Sequence, residues 1–311
     1  MNILITGGAG FIGSHVADAS IENGHSVTII DDLSTGTLEN INPNSKFIKM
    51  DIRDEKVKDL FAGVNYDVVI HHAAQMDVRR SVEDPVFDAS VNILGSLNLL
   101  ENCVRHRVKK FIFASTGGAI YGEQEYFPAD ESHPINPLSP YGIAKYAVEK
   151  YLFYYNAVYG LRYVNLRYAN VYGPRQNPHG EAGVVAIFAS KMLSGGDPVI
   201  NGDGKQTRDY VYVGDVVKAN MLALSYNDSG AFNVGTGREA DVNKLFHMIN
   251  EFTGLSCAEK HGQAKKGEQM RSVLDHSRIK GVLGWEWSVD LREGLKRTVE
   301  YFRSRLQSDA R

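Results

Sequence analysis

Cysteine is scarce in this sequence, because only Cys103 and Cys257 occur among its 311 residues. Neither belongs to a Cys-x-x-Cys pair, so we predict no structural disulfide and expect a reducing, cytosolic compartment. The 10 histidines are scattered, and no Cys, His and carboxylate residues have metal-ligand spacing. His71 and His72 end an apolar run, where we expect both rings to pack or hydrogen-bond. We therefore predict no metal site.

Long apolar runs and a bias towards one charge are also missing. No run approaches the length of a membrane span, and strand residues begin at position 2, so we expect no membrane segment and no leader. The net charge is −3, and no basic stripe or polybasic cluster occurs. This composition argues against nucleic acid or a membrane surface as a partner.

Short segments rich in Val, Ile and Phe alternate with helix-length segments in the first half of the chain. Near-continuous apolarity is typical of parallel strands that are covered on both faces. The predicted strands are 2–6, 26–30, 47–50, 67–74 and 111–116. Residues 85–106 have apolar positions at three- and four-residue spacing, which predicts a helix. These units predict an α/β fold with a doubly wound parallel sheet.

The alternation ends after residues 162–168, and the segment 173–204 is predicted to be loop-rich because it contains several prolines. Later segments predict a strand and a helix over 208–224, a strand at 231–237, and helices near 242–252, 277–283 and 291–306. We expect a cofactor domain of residues 1–167, to which 208–235 returns. We expect the substrate to bind a smaller, mixed α/β domain made of 168–207 and 236–311.

A glycine-rich turn directly follows the first predicted strand. Gly7, Gly10 and Gly13 form Gly-x-x-Gly-x-x-Gly, which allows a tight turn and lets the backbone approach a pyrophosphate. The next helix is predicted to begin near Phe11, so the first N–H groups, at Phe11 and Ile12, would face the phosphates. A glycine pattern between a strand and a helix predicts a dinucleotide site.

Acidic residues end the second and third predicted strands. Asp31 comes 18 residues after Gly13, where a carboxylate accepts hydrogen bonds from the adenosine ribose and repels a 2′-phosphate. We therefore favour NAD over NADP. The alternative, a solvated turn, is favoured only for Asp32. Asp51 and Ile52 are placed to meet the adenine, although Asp51 could instead cap the following helix.

Two overlapping Tyr-x-x-x-Lys patterns lie in the segment SPYGIAKYAVEK: Tyr141 with Lys145, and Tyr146 with Lys150. Residues four apart share a helix face, but a shift of five residues turns the helix by well over a quarter turn. Only one pair can therefore face a given cleft. Ligands bind at the carboxyl ends of parallel strands, and one strand ends at Thr116 just before this helix. We select Tyr141 and Lys145, and interpret the second pair as packing and surface residues.

These motifs together resemble the extended short-chain dehydrogenase/reductases. The segments STGGAIYGE, LRYANVYGPRQ and TRDYVYVGDVVKA are similar to the nucleotide-sugar branch, and in particular to UDP-glucose 4-epimerases. The resemblance spans nearly the whole chain. It implies a Rossmann-type fold, bound NAD, and epimerisation of a UDP-hexose at the 4-position through a transient 4-keto sugar.

The side chains can support that chemistry. A phenol has a pKa of about 10, and lowering it by about three units needs roughly 4 kcal/mol. The Lys145 ammonium and the positive nicotinamide ring both favour the phenolate of Tyr141. That phenolate could accept the proton of a sugar hydroxyl, while Thr116 orients the same hydroxyl. Ser115 is the alternative to Thr116 at this contact.

The resemblance also implies contacts elsewhere. Its further cofactor positions are Ala73, Ala74, Gln75, Asn92, Ser115 and Tyr168, with Gln75 near a position where epimerases often carry a lysine. Asn170 and Arg208 would bind the diphosphate of the substrate, which suits a guanidinium fork. Arg271 lies in a further stretch, AKKGEQMRSVLDHSR, that resembles a substrate-binding segment.

Two positions in that stretch depart from the family pattern. Lys265 replaces the usual arginine, and it offers a charge but no bidentate fork. Ser272 stands where a bulky aromatic residue excludes N-acetylated sugars, so we hypothesise that UDP-N-acetylglucosamine is accepted as well as UDP-glucose. The alternative is that Ser272 simply lies in a strand.

Other activities are weighed against the same residues. A 4,6-dehydratase would need an Asp-Glu pair just after Thr116, where the chain has Gly117 and Gly118. A UDP-glucuronate epimerase or decarboxylase would need an added hydrogen-bond donor for the carboxylate of the sugar, and Arg175 or Arg271 could serve. A non-catalytic NAD-binding sensor would not require the Tyr-Lys pair, and a reductase of free small molecules would not require the diphosphate residues.

The predicted helix 141–158 has more aromatic residues than one helix face can bury: Tyr146, Tyr151, Phe153, Tyr154 and Tyr155. A helix from a second copy could cover the rest. We therefore expect a homodimer through helices 85–106 and 141–158.

Overall fold

The computed structural model describes residues 1–178, 183–264 and 269–309. Its strands are β1 (Asn2–Thr6), β2 (Ser26–Asp31), β3 (Lys46–Lys49), β4 (Val68–His71), β5 (Lys110–Thr116), β6 (Arg162–Tyr168), β7 (Asn170–Tyr172), β8 (Val199–Asn201), β9 (Thr207–Tyr212), β10 (Gly230–Val234), β11 (Glu239–Asp241), β12 (Lys260–Gly262) and β13 (Arg271–Ser272).

The helices are α1 (Phe11–Glu22), α2 (Val57–Gly63), α3 (Val78–Glu83), α4 (Pro85–Ala89), α5 (Gly95–Arg105), α6 (Gly117–Ile120), α7 (Pro140–Tyr159), α8 (Val184–Leu193), α9 (Val213–Ser225), α10 (Val242–Thr253), α11 (Ser277–Leu283) and α12 (Leu291–Asp309). A 3₁₀ turn spans Leu38–Asn40, and a π-helical turn spans Ser90–Leu94. Within the described residues, no helix combines the length and the apolarity that crossing a lipid bilayer requires.

A seven-stranded parallel sheet forms the centre of the larger part, in the order β10-β6-β5-β4-β1-β2-β3. One face packs on α1 and α9, and the other on α2, α5 and α7. The predicted doubly wound Rossmann-type sheet is confirmed. The chain reverses its direction of winding between β1 and β4, and such a switch point opens a crevice at the carboxyl ends of the strands.

Strand β10 comes from late in the chain and forms the edge of this sheet. It pairs in parallel with β6, from Gly230 opposite Val164 to Val234 opposite Tyr168. The preceding α9 packs against α1. The segment from β9 to β10 thus connects the sheet to the smaller part of the protein.

The smaller part is built around β9, which pairs with β7, β11 and β13. Helices α8, α10 and α12 pack together into a separate apolar core. The prediction that 173–204 is loop-rich is wrong for α8, whose residues Val185, Phe188 and Met192 are buried in that core. The N-cap residue of α8 is Gly183, and no described side chain caps the helix by a hydrogen bond. The usual sequence signal for a helix start is therefore missing.

Two predicted elements of the larger part are also longer than those observed. The predicted strand 67–74 ends at His71, and soon after it the N–H of Ala73 donates to the Thr6 side chain instead of a strand carbonyl. The predicted helix 85–106 is divided by the π-helical turn at Ser90–Leu94. The buried side chain of Asn92, within that turn, donates to the carbonyl oxygen of Gln75, 2.9 Å away.

Candidate active site

The turn after β1 has a backbone that only glycine can adopt. Gly7 has a φ of +68°, and a Cβ added there would lie 2.5 Å from the nitrogen of Ala73. A Cβ at Gly13 would collide with the carbonyl oxygen of Gly7. At Gly10, by contrast, the nearest atom to an added Cβ is the Gly7 oxygen, at 3.2 Å. A side chain at Gly10 would therefore meet one tight contact, and its absence lets a pyrophosphate approach the backbone.

Helix α1 begins at Phe11 with Gly10 as its N-cap, and no described side chain accepts a hydrogen bond there. The first N–H groups of a helix have no partner within the helix, and they form an anion site together with the helix dipole. The predicted contacts at Phe11, Ile12 and Gly13 are therefore available as backbone donors. These residues fit the diphosphate of a dinucleotide.

Asp31 ends β2 beside this turn and is buried. Its carboxylate accepts hydrogen bonds from the N–H groups of Ala9, at 3.0 Å, and Leu33, at 2.8 Å. Burial raises the pKa of Asp31, and the two N–H groups oppose that effect. Asp32 instead closes a local turn by accepting hydrogen bonds from Ser34 at 2.9 and 2.6 Å. The two acids thus differ in environment, as the sequence predicts.

Residues after β3 lie at the other end of the crevice. Asp51 pairs with Arg53 at 2.6 Å, and it also accepts a hydrogen bond from the Arg53 N–H at 2.8 Å. Ile52 is buried and closely approached by Gly95, where an added Cβ would lie 2.6 Å from Ile52 Cδ1. The adenine contacts of Asp51 and Ile52 stay predictions.

The loop after β4 is held together by amide side chains. Gln75 Nε2 donates to Asp88 Oδ1 at 2.9 Å, and Asn92 Nδ2 donates to the same oxygen at 2.9 Å. The N–H of Ala73 donates to Thr6 Oγ1 at 3.1 Å, which sets Ala73 and Ala74 beside the glycine turn. The Gln75 and Asn92 side chains are committed to this loop, so their contacts with the cofactor stay predictions.

Lys145 is buried against the sheet beneath the ring of Tyr141. Its Nζ donates to the Ala114 carbonyl oxygen at 2.8 Å, and lies 5.8 Å from the centre of the Tyr141 ring. Burial lowers the pKa of Lys145 to about 8, and the charge of Asp88 partly opposes this. Lys145 therefore still carries a proton near neutrality. Ser139 caps α7 by accepting a hydrogen bond from the Gly142 N–H at 3.1 Å.

The second Tyr-Lys pair has a different environment. Lys150 is exposed, and its Nζ lies 4.9 Å from the centre of the Tyr146 ring. Tyr146 packs against the small apolar cluster that contains Ile120 and Leu274. The contrast between a buried and an exposed lysine favours the Tyr141 and Lys145 pair for chemistry.

Ser115 and Thr116, the last two residues of β5, have different environments. Ser115 is buried and its hydroxyl donates to Glu149 Oε1 at 2.6 Å, so it is committed to the protein interior. Thr116 Oγ1 lies 3.9 Å from a Cβ built at Gly118, and Asn170 Oδ1 lies 3.8 Å from the same point. Thr116 and Asn170 therefore converge above Gly118, and Thr116 is the hydroxyl available to a ligand.

Arg208 and Ser272 are neighbours across the β9–β13 ladder. Ser272 is buried, whereas Arg208 is half-buried and donates to the Thr207 carbonyl oxygen at 2.8 Å. The alternative ion pairs of Arg208 are disfavoured, because Asp209 accepts hydrogen bonds from Thr236 and Asp215 accepts them from Ser288.

The side chain of Arg271 contacts both an acidic and an aromatic residue. Its guanidinium group pairs with Glu239 at 2.7 Å and stacks on the Phe127 ring, 3.9 Å from the ring centre. Lys265, the other predicted basic contact, lies outside the described residues. If Arg271 binds the substrate, its guanidinium group must do so while it is paired with Glu239.

The histidine pair is internal, as the sequence predicts. His71 Nδ1 lies 2.6 Å from Thr6 Oγ1, and its Nε2 lies 2.9 Å from Ser96 Oγ. His72 stacks on Tyr168, whose hydroxyl also accepts a hydrogen bond from Asn220 at 2.8 Å. Burial raises the pKa of Tyr168. No group of three or more His, Cys, Asp or Glu residues that could hold a metal ion occurs in the described part of the chain.

Comparison with known proteins places this geometry in a family. Residues 3–235 match the profile of the NAD dependent epimerase/dehydratase family. The chain belongs to that family.

Relatives within the epimerase/dehydratase family match over almost the full length of the chain. The UDP-glucose 4-epimerase of Mycolicibacterium smegmatis is 44% identical and covers 99% of this chain and 100% of its own. A crystal structure of UDP-glucose 4-epimerase from Thermotoga maritima with UDP-glucose is 54% identical, with a TM-score of 0.97 over 98% of this chain and 100% of that one. The UDP-glucose 4-epimerase of Thermus thermophilus in complex with NAD is 46% identical, with a TM-score of 0.93 over 97% and 99%.

A buried ion pair behind the site is not predicted from the sequence. Arg167 on β6 contacts Glu149 on α7 at 2.6 Å, and both side chains are almost fully buried. The sequence shows only charged residues in both segments, RYVNLRY and the helix after Tyr141, without indicating which of them meet. In this member of the epimerase/dehydratase family, a charged cluster therefore lies directly beneath the strand that ends at Thr116.

Proposed function

We propose that this member of the epimerase/dehydratase family catalyses NAD-dependent epimerisation of a UDP-hexose at the 4-position. One observation carries the proposal: the buried ammonium of Lys145 lies beneath the ring of Tyr141, at the strand end that presents Thr116. The relatives named as UDP-glucose 4-epimerases over the full chain support the same reaction.

Tyr141 acts as the base in this proposal. The positive charge of Lys145 favours the phenolate, so Tyr141 can accept the proton of the sugar 4-hydroxyl and later return it. Thr116 orients that hydroxyl by hydrogen bonding. Bound NAD would supply the chemistry of hydride removal from carbon 4 of the sugar and of hydride return to its other face. The 4-keto sugar turns over within the pocket between these two steps.

The substrate is held by groups on β7 and β9. Asn170 converges with Thr116 above Gly118, and Arg208 offers a guanidinium fork to the diphosphate. Ser272 is buried next to Arg208 in the ladder, and its side chain is smaller than the aromatic ring that would exclude an acetamido group on the sugar. We therefore propose that UDP-glucose, UDP-galactose and their N-acetylated counterparts are substrates.

The rival activities lack support from the same geometry. A UDP-glucuronate epimerase or decarboxylase needs a free cation for the carboxylate, but Arg175 pairs with Asp18 at 2.7 Å and Arg271 pairs with Glu239 at 2.7 Å. A 4,6-dehydratase needs acids where α6 begins with Gly117. A non-catalytic sensor gains nothing from a buried lysine, because burying that charge costs stability.

The decisive experiment is incubation of the purified protein with separate UDP-hexoses and no added NAD. We expect each C4 pair to interconvert, and we expect denatured protein to release NAD. Conversion of UDP-glucuronate in a parallel incubation but of no neutral sugar, or loss of water from the sugar, would assign one of the rival activities instead. Binding of NAD without conversion of any sugar would support the sensor.

We also propose a homodimer through the surface of α7, the π-helical turn and α4. Of the five aromatic residues predicted on α7, Tyr155 is buried and Tyr146 packs inside, but Tyr151, Phe153 and Tyr154 are exposed at 40%, 62% and 47%. Val86 and Leu94 are exposed at 78% and 60% on the neighbouring elements. Contiguous apolar surface of this kind is typical of an interface.

The mass in solution tests the dimer. We expect the wild type to elute at twice the mass of one chain, and Phe153→Arg to shift it towards a monomer. Leu255→Arg is the matched control, because Leu255 is 44% exposed but lies after α10, away from the proposed surface. A monomeric wild type would end the proposal.

We propose a cytosolic location from the state of the thiols. Cys103 is buried and Cys257 is half-buried, and both are unpaired. Unpaired thiols persist in a reducing compartment. Fractionation of native cells should place the protein with cytosolic markers, and recovery in an oxidising compartment would contradict the proposal.

A further inference from the structure

Contacts between helix α7 and strand β5 continue along the helix beyond Tyr141. Residues Tyr141, Lys145 and Glu149 are spaced by four, so they lie on one face of α7. Lys145 donates to the Ala114 carbonyl oxygen, and Glu149 accepts a hydrogen bond of 2.6 Å from the Ser115 hydroxyl. The helix is thus docked on two consecutive residues of β5, just before Thr116.

Arg167 fixes the other side of the Glu149 carboxylate. It lies directly opposite Ser115 in the β5–β6 ladder. Its Nε donates to Oε1 at 3.0 Å, and a terminal nitrogen donates to Oε2 at 2.6 Å, which makes the pair bidentate. Three elements, α7, β5 and β6, therefore meet at one carboxylate.

Stability alone is a weak explanation for this cluster. The side chains of Arg167 and Glu149 are only 6% and 4% exposed, so folding removes both charges from water. Buried pairs of this kind often contribute no more stability than well-packed apolar side chains would. Apolar packing would not fix the orientation of the helix. A carboxylate that accepts hydrogen bonds from three donors fixes both the rotation of α7 and its position along β5.

We propose that Glu149 is a positioning residue that, through Ser115 and Arg167, sets Tyr141 and Thr116 at the spacing needed to hold one sugar hydroxyl. This inference rests on the proposed function. A displacement of about 1 Å at a reacting group can cost about a hundredfold in rate. Loss of the Ser115 link should therefore reduce turnover while the substrate still binds through Asn170 and Arg208.

Ser115→Ala is the principal test, because it removes one hydroxyl and leaves the ion pair intact. We expect kcat to fall by about tenfold to a hundredfold, with KM within about twofold of the wild type. Glu149→Gln should also lower kcat. Ser20→Ala is the matched control: Ser20 is also buried, but its hydroxyl donates only to Val16 of its own helix.

Wild-type kcat in a folded Ser115→Ala protein would overturn the inference. So would equal losses in Ser115→Ala and Ser20→Ala, or a rise in KM that accounts for the whole effect. A readout without sugar separates this inference from the proposed function: crystal structures of Ser115→Ala and the wild type should differ in the distance from Tyr141 Oη to Thr116 Oγ1. An unchanged distance contradicts positioning, whereas an inactive wild type contradicts only the proposed function.

Discussion

Lys145 donates a hydrogen bond to the carbonyl oxygen of Ala114, 2.8 Å away, and so ties helix α7 to the strand that ends at Thr116. The bond holds a charged group at a buried position, where the carboxylate of Asp88 raises its pKa against the larger effect of burial. The ammonium therefore remains close to Tyr141, where its charge favours a phenolate.

Removing the phenol of Tyr141 should abolish most of the turnover. In Tyr141→Phe we expect kcat to fall by roughly 10²- to 10⁴-fold, because general acid–base catalysis contributes about that much. Tyr146→Phe is the matched control and should keep kcat within about twofold. Steady-state assays with UDP-galactose, together with the NAD content of both proteins, measure this. Equal activity of the two variants would contradict the role of Tyr141.

Arg208 should contribute mainly to substrate binding. Arg208→Ala removes the guanidinium fork, and the loss of charged hydrogen bonds should raise KM by roughly tenfold to a hundredfold with a smaller effect on kcat. Arg238→Ala provides the control, because Arg238 stacks on Trp287 at 4.6 Å. Titration with UDP alone should show the same weakening; unchanged UDP affinity would place the diphosphate elsewhere.

The side chain at position 272 should select between sugars. We expect Ser272→Tyr to lose turnover of UDP-N-acetylglucosamine while it keeps turnover of UDP-glucose, since a bulky ring would occupy the space of the acetamido group. Ser272→Ala keeps the space and should accept both sugars. The ratio of kcat/KM for the two sugars is the measurement. A wild type with no N-acetyl activity at all would refute the hypothesis.

Acid should destabilise the protein partly through His72. Burial lowers the pKa of His72 to about 3, whereas the unfolded chain has the ordinary value of about 6.5. As the pH falls below about 6.5, only the unfolded state takes up this proton, so stability is lost. The linked loss between pH 7 and pH 5 is about 2 kcal/mol.

His72→Phe keeps an aromatic ring against Tyr168 and removes the titrating group. The free energy of unfolding, measured with urea at both pH values, should therefore fall less for His72→Phe than for the wild type. His247→Phe, at an exposed position of α10, should retain the wild-type dependence. The same loss in wild type and His72→Phe would contradict the assignment.

Local signals explain what the sequence could predict. Strand β1 has the predicted bounds, 2–6, because its apolar run ends at the glycine turn, and helix α11 has the predicted bounds, 277–283, because Gly284 ends it. The Gly7 turn and the Tyr141 and Lys145 pair depend on spacing within one turn or one helix. Such features are visible in a short window of sequence.

Features that depend on distant partners could not be predicted in this way. The π-helical turn contains the buried Asn92, whose side chain donates to the carbonyl oxygen of Gln75 in the loop after β4. Glu149 and Arg167 lie 18 residues apart in sequence and meet only after β6 joins the sheet. Helix α8 was missed because its apolar sequence lacks a side-chain cap and lies between proline-containing segments.

The pairing of β9 has a consequence for the order in which the protein assembles during synthesis. Its partners β7, β11 and β13 begin at Asn170, Glu239 and Arg271, so the proposed sugar pocket needs nearly the whole chain before β9 has all its partners. Strand β1 and its partners β2 and β4, by contrast, all lie within the first 71 residues, and the N-terminal part of a chain folds first during synthesis. A ribosome-bound chain can thus shape its coenzyme cradle well before its carbohydrate pocket exists. Pulsed hydrogen exchange on ribosome-bound chains of increasing length should show protection of β1 before β9.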